Sequence, residues 1–414
     1  MDKKYHDKTC IVIDHGLFVS VCQKLSESFG KVYYFTCWES SFPNSNDTLI
    51  GTGFDNFERI NDFWSILDQI DLFIFTDVYS GPLQVYLQSI GKRVWGGRNG
   101  DLMEIKRSDF ITKMQEIGLL TPWTEFITGM DALREYLMGA EDKYVKVDSM
   151  FRGDLETFHH INYDISKPIL DKLAYQIGPR QDTIQFIVQD PIDAVVETGY
   201  DGYVIDGMFP DQCLFGIEVK DKGYIGEVRD YDKIPVQIKE VNDKLAPLFK
   251  EYGYRGFFSS EIRVTANGDA YLIDMTCRCP SPPTSTMLEV YSNLAEIMYE
   301  GADGTLIQPE FNAKFGAEII GFNDFLREGF VQLFFDEDDA EWIKQPNVCM
   351  IGDNTYCIPQ KYADMNMVAN VVAIGDDIDS VISELKERVS SIQGNGFNVD
   401  PNVLDETIEE LKKL

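Results

Sequence analysis

The sequence predicts a multidomain protein in which an α/β module opens the chain and α+β modules follow it. Three observations predict this. The chain has 414 residues, too long for one compact core and enough for two or three domains of roughly 100 to 200 residues each. Its first hundred or so residues alternate β-branched runs with helical patterns, which is how a parallel sheet with helices on both faces reads. Much later, two strand-like segments flank Asn267-Gly268, the strongest short hairpin signal.

The opening module spans residues 1–103. A run KTCIVID (Lys8 to Asp14) reads as the first strand, and a helical pattern from Leu17 to Phe29 follows it. Strands are expected around Val32 to Phe35, Leu72 to Thr76 and Arg93 to Trp95, with a helix in PLQVYLQSIG after Gly81-Pro82. This is a Rossmann-like order. Asp14 and His15 fall at the carboxyl end of the first strand, the usual ligand-facing edge of such a sheet, although a plain strand-terminal turn is the simpler account of them. No G-x-G-x-x-G follows that strand, which argues against a dinucleotide-dependent enzyme.

From Met103 the text reads as one charged helix ending near Gly118, and Thr121-Pro122 punctuates its end. A second module is expected over 104–310, containing a small α+β lid at about 119–190 with strands in YVKVD and TIQFIVQD. Further strands, an amphipathic helix from Val236 to Tyr252 and the hairpin complete it. A third, α+β module is expected over 311–414, where the strand VVAIG leads into a helix from Ile378 to Ile392 and a charged tail helix follows Pro401.

Composition narrows the function. Hydrophobic residues at 44% and aromatics at 13% supply substantial cores, so disorder is excluded. The net charge of -32 repels a polyphosphate backbone, which argues against general nucleic-acid binding but leaves a single nucleotide admissible where a few basic residues converge. No stretch approaches the roughly 18 to 20 apolar residues of a membrane helix, and the N-terminus resembles no leader, so a soluble cytoplasmic protein is expected. Eight scattered cysteines fit reduced thiols, and the lone pair Cys277 and Cys279 makes a poor zinc site. The four histidines stand in no Ser/His/Asp or Cys/His pattern.

The chemistry concentrates between Gly256 and Arg278 (GFFSSEIRVTANGDAYLIDMTCR). Pairing the strands around Asn267-Gly268 brings Glu261 and Asp274 roughly opposite one another. Facing like charges are destabilising unless a cation neutralises them, and Mg²⁺ takes carboxylate oxygens together with substrate phosphates. The alternative is that both acids face solvent.

Gly256, Glu261 five residues on, and a strand ending YLIDMTCR resemble the metal-binding segment of the ATP-grasp superfamily, G-x4-[EQD] followed by [YF]-x-[IL]-[ED]-x-N-x-R. Within that superfamily the chain is similar to carboxylate-amine ligases of the glycinamide ribonucleotide synthetase (phosphoribosylamine-glycine ligase) and biotin carboxylase kind. The resemblance implies a pre-ATP-grasp domain, an ATP-grasp domain with a small lid, and a C-terminal α+β domain. It implies metal ligation by Glu261 and Asp274, with Thr276 at the position where the family carries Asn; a hydroxyl there replaces an amide oxygen. Arg278 falls on the Arg that contacts substrate or phosphate, and Arg263, on the same strand face as Glu261, reaches either a phosphate or Glu261 itself. Arg107 resembles the basic residue that reaches the ATP phosphates, and Lys146 the lid lysine between phosphate and adenine. In DSMFRGDLETF, Arg152 stands beside a lone Gly153, where it supplies a charged phosphate contact in place of backbone amides or else belongs to an exposed loop. FIVQDPID resembles the hinge strand, with Gln189, Asp190 and Asp193 as candidates for adenine and ribose. The loop Cys279 to Thr286 resembles the substrate loop, or serves as a structural connection.

What the resemblance implies is ATP-dependent ligation. A carboxylate attacks the γ-phosphate, and an amine captures the acyl phosphate with release of ADP and phosphate. ATP and Mg²⁺ (or Mn²⁺) are the implied cofactors, a small-molecule carboxylate and amine the implied partners, and a homodimer is common among such proteins. The competing reading, suggested by Thr276 and the glycine-poor loop, is a nucleotide-binding or structural protein with impaired catalysis.

Overall fold

The computed structural model describes residues 4–36, 48–148, 157–359 and 366–411. Its first sheet is built from β1 (Tyr5–Asp14), β2 (Phe29–Thr36), β3 (Glu58–Arg59), β4 (Leu72–Phe75) and β5 (Arg93–Trp95), all paired in parallel in the order β3-β2-β1-β4-β5. Helices α1 (Val19–Leu25) and α2 (Gly81–Ser89) connect them. The first helix is shorter than its pattern suggested. Phe29 and Gly30 belong to β2, and a Cβ at Gly30 would lie 1.9 Å from the His6 carbonyl oxygen, so the chain here is committed to pairing with β1.

Two helices then replace the single expected one: α3 (Leu102–Ile105) and α4 (Arg107–Glu116), broken at Lys106 (φ -106°, ψ 72°). The break has a distant cause. A new helix start leaves backbone N–H groups without partners, and the Asp148 carboxylate accepts from the Ser108 amide at 2.6 Å and from its hydroxyl at 2.9 Å.

A small antiparallel sheet follows, formed by β6 (Thr124–Thr128), β7 (Lys143–Val147), β8 (Thr157–His160) and β9 (Gln185–Gln189) in the order β6-β9-β7-β8, with α5 (Met130–Met138) and α6 (Tyr163–Ile177) against it. It has its own core, where Leu133, Leu137, Leu170 and Leu173 meet Phe186.

The large sheet takes in β10 (Ala194–Ile205), β11 (Gln212–Val219), β12 (Gly223–Asp230), then, after α7 (Val236–Tyr252), β13 (Arg255–Thr265) and β14 (Ala270–Thr276). Helices α8 (Thr284–Val290) and α9 (Leu294–Gly301) lead to β15 (Phe315–Asn323), β16 (Ile343–Lys344), the hairpin β17 (Val348–Ile351) with β18 (Asn354–Cys357), β19 (Met367–Gly375), α10 (Ile378–Ser391), β20 (Phe397–Asn398) and α11 (Asp405–Leu411). The order β14-β13-β10-β11-β12-β15-β19-β16, with β20 on β15, makes nine strands. Because β12 pairs with β15 from Gly223↔Ile319 to Glu227↔Phe315, residues on both sides of position 310 share one sheet. Three glycines stand abreast, Gly216 opposite Gly226 and Gly226 opposite Gly316. Cβ atoms at the first two would lie 2.2 and 2.6 Å from the Tyr224 hydroxyl, so that ring occupies the space their missing side chains leave.

The first sheet is stitched to this one. Gly96 and Arg255 exchange both backbone hydrogen bonds (2.7 and 3.3 Å), and the Cys279 amide donates to the Thr76 carbonyl at 3.0 Å. One hydrophobic core runs from β1 through the large sheet to α10. Among the described residues no helix is long and apolar enough to cross a membrane.

Candidate active site

The hairpin of β13 and β14 is irregular twice. Its turn is a three-residue loop, Ala266 to Gly268, closed by the Thr265 amide donating to the Asp269 carbonyl at 3.0 Å, with Gly268 at φ +87°; the two-residue Asn-Gly turn expected from the sequence does not form. This displaces the register by one residue, pairing Ile262 with Leu272. Continued unchanged, it would set Glu261 against Ile273. A bulge intervenes, and Glu261 pairs with Asp274, Ser260 with Met275 and Ser259 with Thr276. A bulge inserts one unpaired residue and re-aims the side chains beyond it. Here it restores the facing acids.

The bulge residue has a second role. Ile273 offers its carbonyl to Lys146 Nζ at 3.2 Å, and the same Nζ lies 3.6 Å from Asp274 Oδ2. Lys146 therefore reaches across from β7 to the hairpin. Burial raises the Asp274 carboxyl, but Lys146, Arg107 and Lys220 outweigh it and hold the group down to about 2. Glu261 goes the other way: burial, then the charges of Glu197 and Asp274, push it up to about 7. The uncompensated charge of the pair is on Glu261, where Lys220 and Lys146 only partly offset burial and the neighbouring acids. Glu261 and Asp274 thus fit Mg²⁺, and Thr276 lies two residues beyond Asp274 on the same strand face. Among the described residues no group of three or more His, Cys, Asp or Glu is placed to hold a metal.

Beside Asp274 lies a narrow cleft. Met103, Phe110 and Met114 from α3 and α4 form its apolar wall, and Arg107, Lys146 and Gln189 bring polar groups to it along with Asp274. An apolar slot with a few convergent polar groups is the usual form of a small-molecule site. Arg107 opens α4 and donates from Nη1 to the Val147 carbonyl at 3.4 Å. Gln189 is buried and donates to the Thr124 hydroxyl at 3.2 Å.

The other candidates lie elsewhere. Asp190 is ion-paired with Lys143, and Asp193 is exposed; neither lines the cleft. Arg263 does not pair with Glu261. Its guanidinium meets Glu197 on β10 at 2.9 Å, because Glu197 stands directly opposite it in the sheet. Arg152 and Gly153 fall outside the described residues. The expected substrate loop ends early, since Thr284 to Thr286 already form the first turn of α8, where the Thr286 amide and hydroxyl donate to Glu318 at 2.7 and 2.8 Å.

Arg278 leads away from the cleft to the edge of the first sheet. Its Nε donates to Glu104 Oε1 at 2.9 Å and lies 3.6 Å from Asp77 Oδ1. Glu104 also accepts from the Cys277 amide at 2.8 Å; burial raises its carboxyl, and the Arg278 charge opposes the rise. Asp77 Oδ2 lies 3.2 Å from His15 Nδ1. Asp14, by contrast, is spent on the turn: its carboxylate accepts from the Gly16 and Phe18 amides at 2.9 Å and from the Tyr34 hydroxyl at 2.7 Å. Sequence reasoning missed Glu104, Asp77, Lys220 and Glu197. Each is brought in by topology, and none carries a local motif.

No protein-family model matches the sequence, and no curated protein does. Solved structures match over nearly the full length. Phosphoribosylamine–glycine ligase from Thermotoga maritima aligns at a TM-score of 0.71 with 15% identity, covering 94% of this chain and 98% of that one. A biotin carboxylase complex from Campylobacter jejuni aligns at 0.65 with 13% identity, over 98% and 99%. An L-amino acid ligase from Bacillus licheniformis aligns at 0.61 with 12% identity, over 94% and 99%. At these identities the likeness is one of fold.

Proposed function

We propose that this chain, whose fold is that of the ATP-grasp ligases, is an ATP-dependent carboxylate-amine ligase that forms an amide through an acyl phosphate. One observation carries the reading: Glu261 faces Asp274 across the hairpin, at the rim of a cleft that Arg107 and Lys146 also line. Activation of a carboxylate by phosphoryl transfer needs no side-chain nucleophile. It needs alignment and charge neutralisation.

The residues divide accordingly. Met103, Phe110 and Met114 would cover the adenine, with Gln189 at its edge. Arg107 and Lys146 would match the phosphates, and the small sheet acts as the lid that delivers Lys146. Glu261 and Asp274, with Thr276, are the residues that would hold Mg²⁺, which when bound neutralises phosphate charge. Arg278, steadied by Glu104, would orient the carboxylate. The seven described cysteines are all free and buried, which supports a reducing cytoplasmic setting.

Incubation with Mg-ATP and a panel of carboxylates and amines, read by mass spectrometry, should give ADP together with a new amide. A second reading has Thr276 behind it: a hydroxyl at that position weakens the metal site, leaving a nucleotide-binding protein. Calorimetric binding of Mg-ATP without ADP formation across the panel would favour that reading instead.

A further inference from the structure

We propose that Tyr144 and Arg263 are positioning residues for Lys146: they make a second contact between the small sheet and the hairpin of β13 and β14, and so set the angle at which Lys146 meets the nucleotide. This rests on the ligase reading above, in which Lys146 matches the phosphates. Alternation supplies the geometry. Along β7, Val145 and Val147 enter the core of the small sheet, so Tyr144 and Lys146 stand on its other face. Along β13, Ile262 and Val264 enter the large core, so Glu261 and Arg263 share the opposite face. Lys146 reaches Asp274, the partner of Glu261, at 3.6 Å. Two residues earlier on β7, the Tyr144 ring centroid lies 5.9 Å from the guanidinium carbon of Arg263, which stands two residues beyond Glu261. The steps match. Each is roughly 6.6 Å along its strand, so β7 meets the hairpin at two points in register.

Each partner is fixed from its own side. Glu197, directly opposite Arg263 in the large sheet, accepts from its Nε at 3.0 Å and lies 2.9 Å from Nη2. With side chains 27% and 49% exposed, that ion pair contributes little stability by itself. It holds the planar guanidinium in one orientation. Tyr144 is steadied by His159, opposite it on β8, whose ring stacks on the phenol at 4.6 Å and an interplanar angle of 10°. His159 is held in turn by Asp142, 2.6 Å from its Nε2. A guanidinium within about 6 Å of a tyrosine ring is attracted by the ring quadrupole, and here both groups are set in place before they meet.

Lys146 alone is a poor anchor. Its ammonium ends a flexible four-carbon stem, and a single point of contact leaves the strand free to swing about it. The second contact removes that freedom. A cation already aligned on the phosphates binds them without the cost of ordering its strand. Neither Tyr144 nor Arg263 lines the cleft, nor do Glu197 and His159, so the effect on the nucleotide passes through Lys146. Arg263 has one other route to the site: it neutralises Glu197, whose charge bears on Glu261. Tyr144 lacks that route, and substituting each residue separately tells the two apart.

The test measures Kd for Mg-ATP by calorimetry on the full chain. Tyr144→Leu and Arg263→Gln should each raise it about fivefold, the worth of one contact between a cation and a ring. Added to Lys146→Met, neither should have a further effect, because the residue they align is gone. Values within about twofold of wild type for both variants would overturn the inference. An effect in one variant alone overturns it too: in Arg263→Gln alone it belongs to the Glu197 charge beside Glu261, and in Tyr144→Leu alone to packing on His159. A loss that persists in full beside Lys146→Met overturns it as well, since it then arises without Lys146. All three outcomes leave the ligase reading standing. A wild-type chain that binds no Mg-ATP removes that reading and this inference with it.

Discussion

Lys146 Nζ lies 3.6 Å from Asp274 Oδ2, and the strands that carry these two residues pack into different hydrophobic cores. The contact is therefore a joint between two bodies. Lys146→Met removes the cation from the cleft and the donor from the Ile273 carbonyl. Hydrogen bonds to charged groups contribute about 1.5–3 kcal/mol, so KM for ATP should rise about 10- to 100-fold, measured by initial rates of ADP release. An unchanged KM would remove Lys146 from the nucleotide site.

Asp274→Asn keeps the shape of the hairpin and removes a charge held well into its ionised range. ADP formation should fall at least about a hundredfold while the far-ultraviolet circular dichroism matches wild type. Full turnover in that variant would show that the facing acids hold no metal.

Glu318 predicts a pH dependence of stability. It is fully buried, and burial pushes its carboxyl up to about 7 even though Thr286 donates to it twice. The unfolded chain has an ordinary glutamate near about 4.3. A group raised on folding contributes stability that is complete below the unfolded value and is lost as pH rises through the folded one. Between about pH 4.3 and 7 this residue therefore lowers stability, and Glu318→Gln should flatten that part of the Tm profile. A profile as steep as wild type would assign the slope to other groups.

Asp148→Ala takes away the carboxylate that caps α4 from 40 residues along the chain. The cost is about 0.5–2 kcal/mol, visible in urea unfolding. Because Arg107 is the first residue of that helix, KM for ATP should rise as well.

Gly226→Ala sets a methyl group against the Tyr224 ring and its hydroxyl, which donates to Asp201 at 2.8 Å. Overpacking of this kind costs about 1–3 kcal/mol. Equilibrium denaturation reads it directly, and a neutral result would mean that the ring moves aside freely.

What the sequence revealed was local. Helix α7 spans the same residues in pattern and in structure, Val236–Tyr252, because its apolar stripe is regular and Gly253 closes it in the left-handed conformation (φ 62°). Glu261 and Asp274 were legible because both lie in one hairpin, even though the two irregularities that align them were not. Where a residue's partner is distant, the sequence had nothing to offer. Arg263 meets Glu197, Arg278 meets Glu104, and the break before α4 answers Asp148. Ion pairs of this sort are decided by which strands become neighbours, and no spacing along the chain encodes that.

The separate core of the small sheet has an energetic consequence. Apart from Ile187 of β9, which packs into the large core, the buried apolar side chains of β7 and β9 belong to a separate cluster, so these strands form a cooperative unit able to open at the cost of that contact without unfolding the large sheet. Native-state hydrogen exchange should then resolve two classes of opening free energy. The lower one would belong to the part that carries Lys146, and ATP would raise it most.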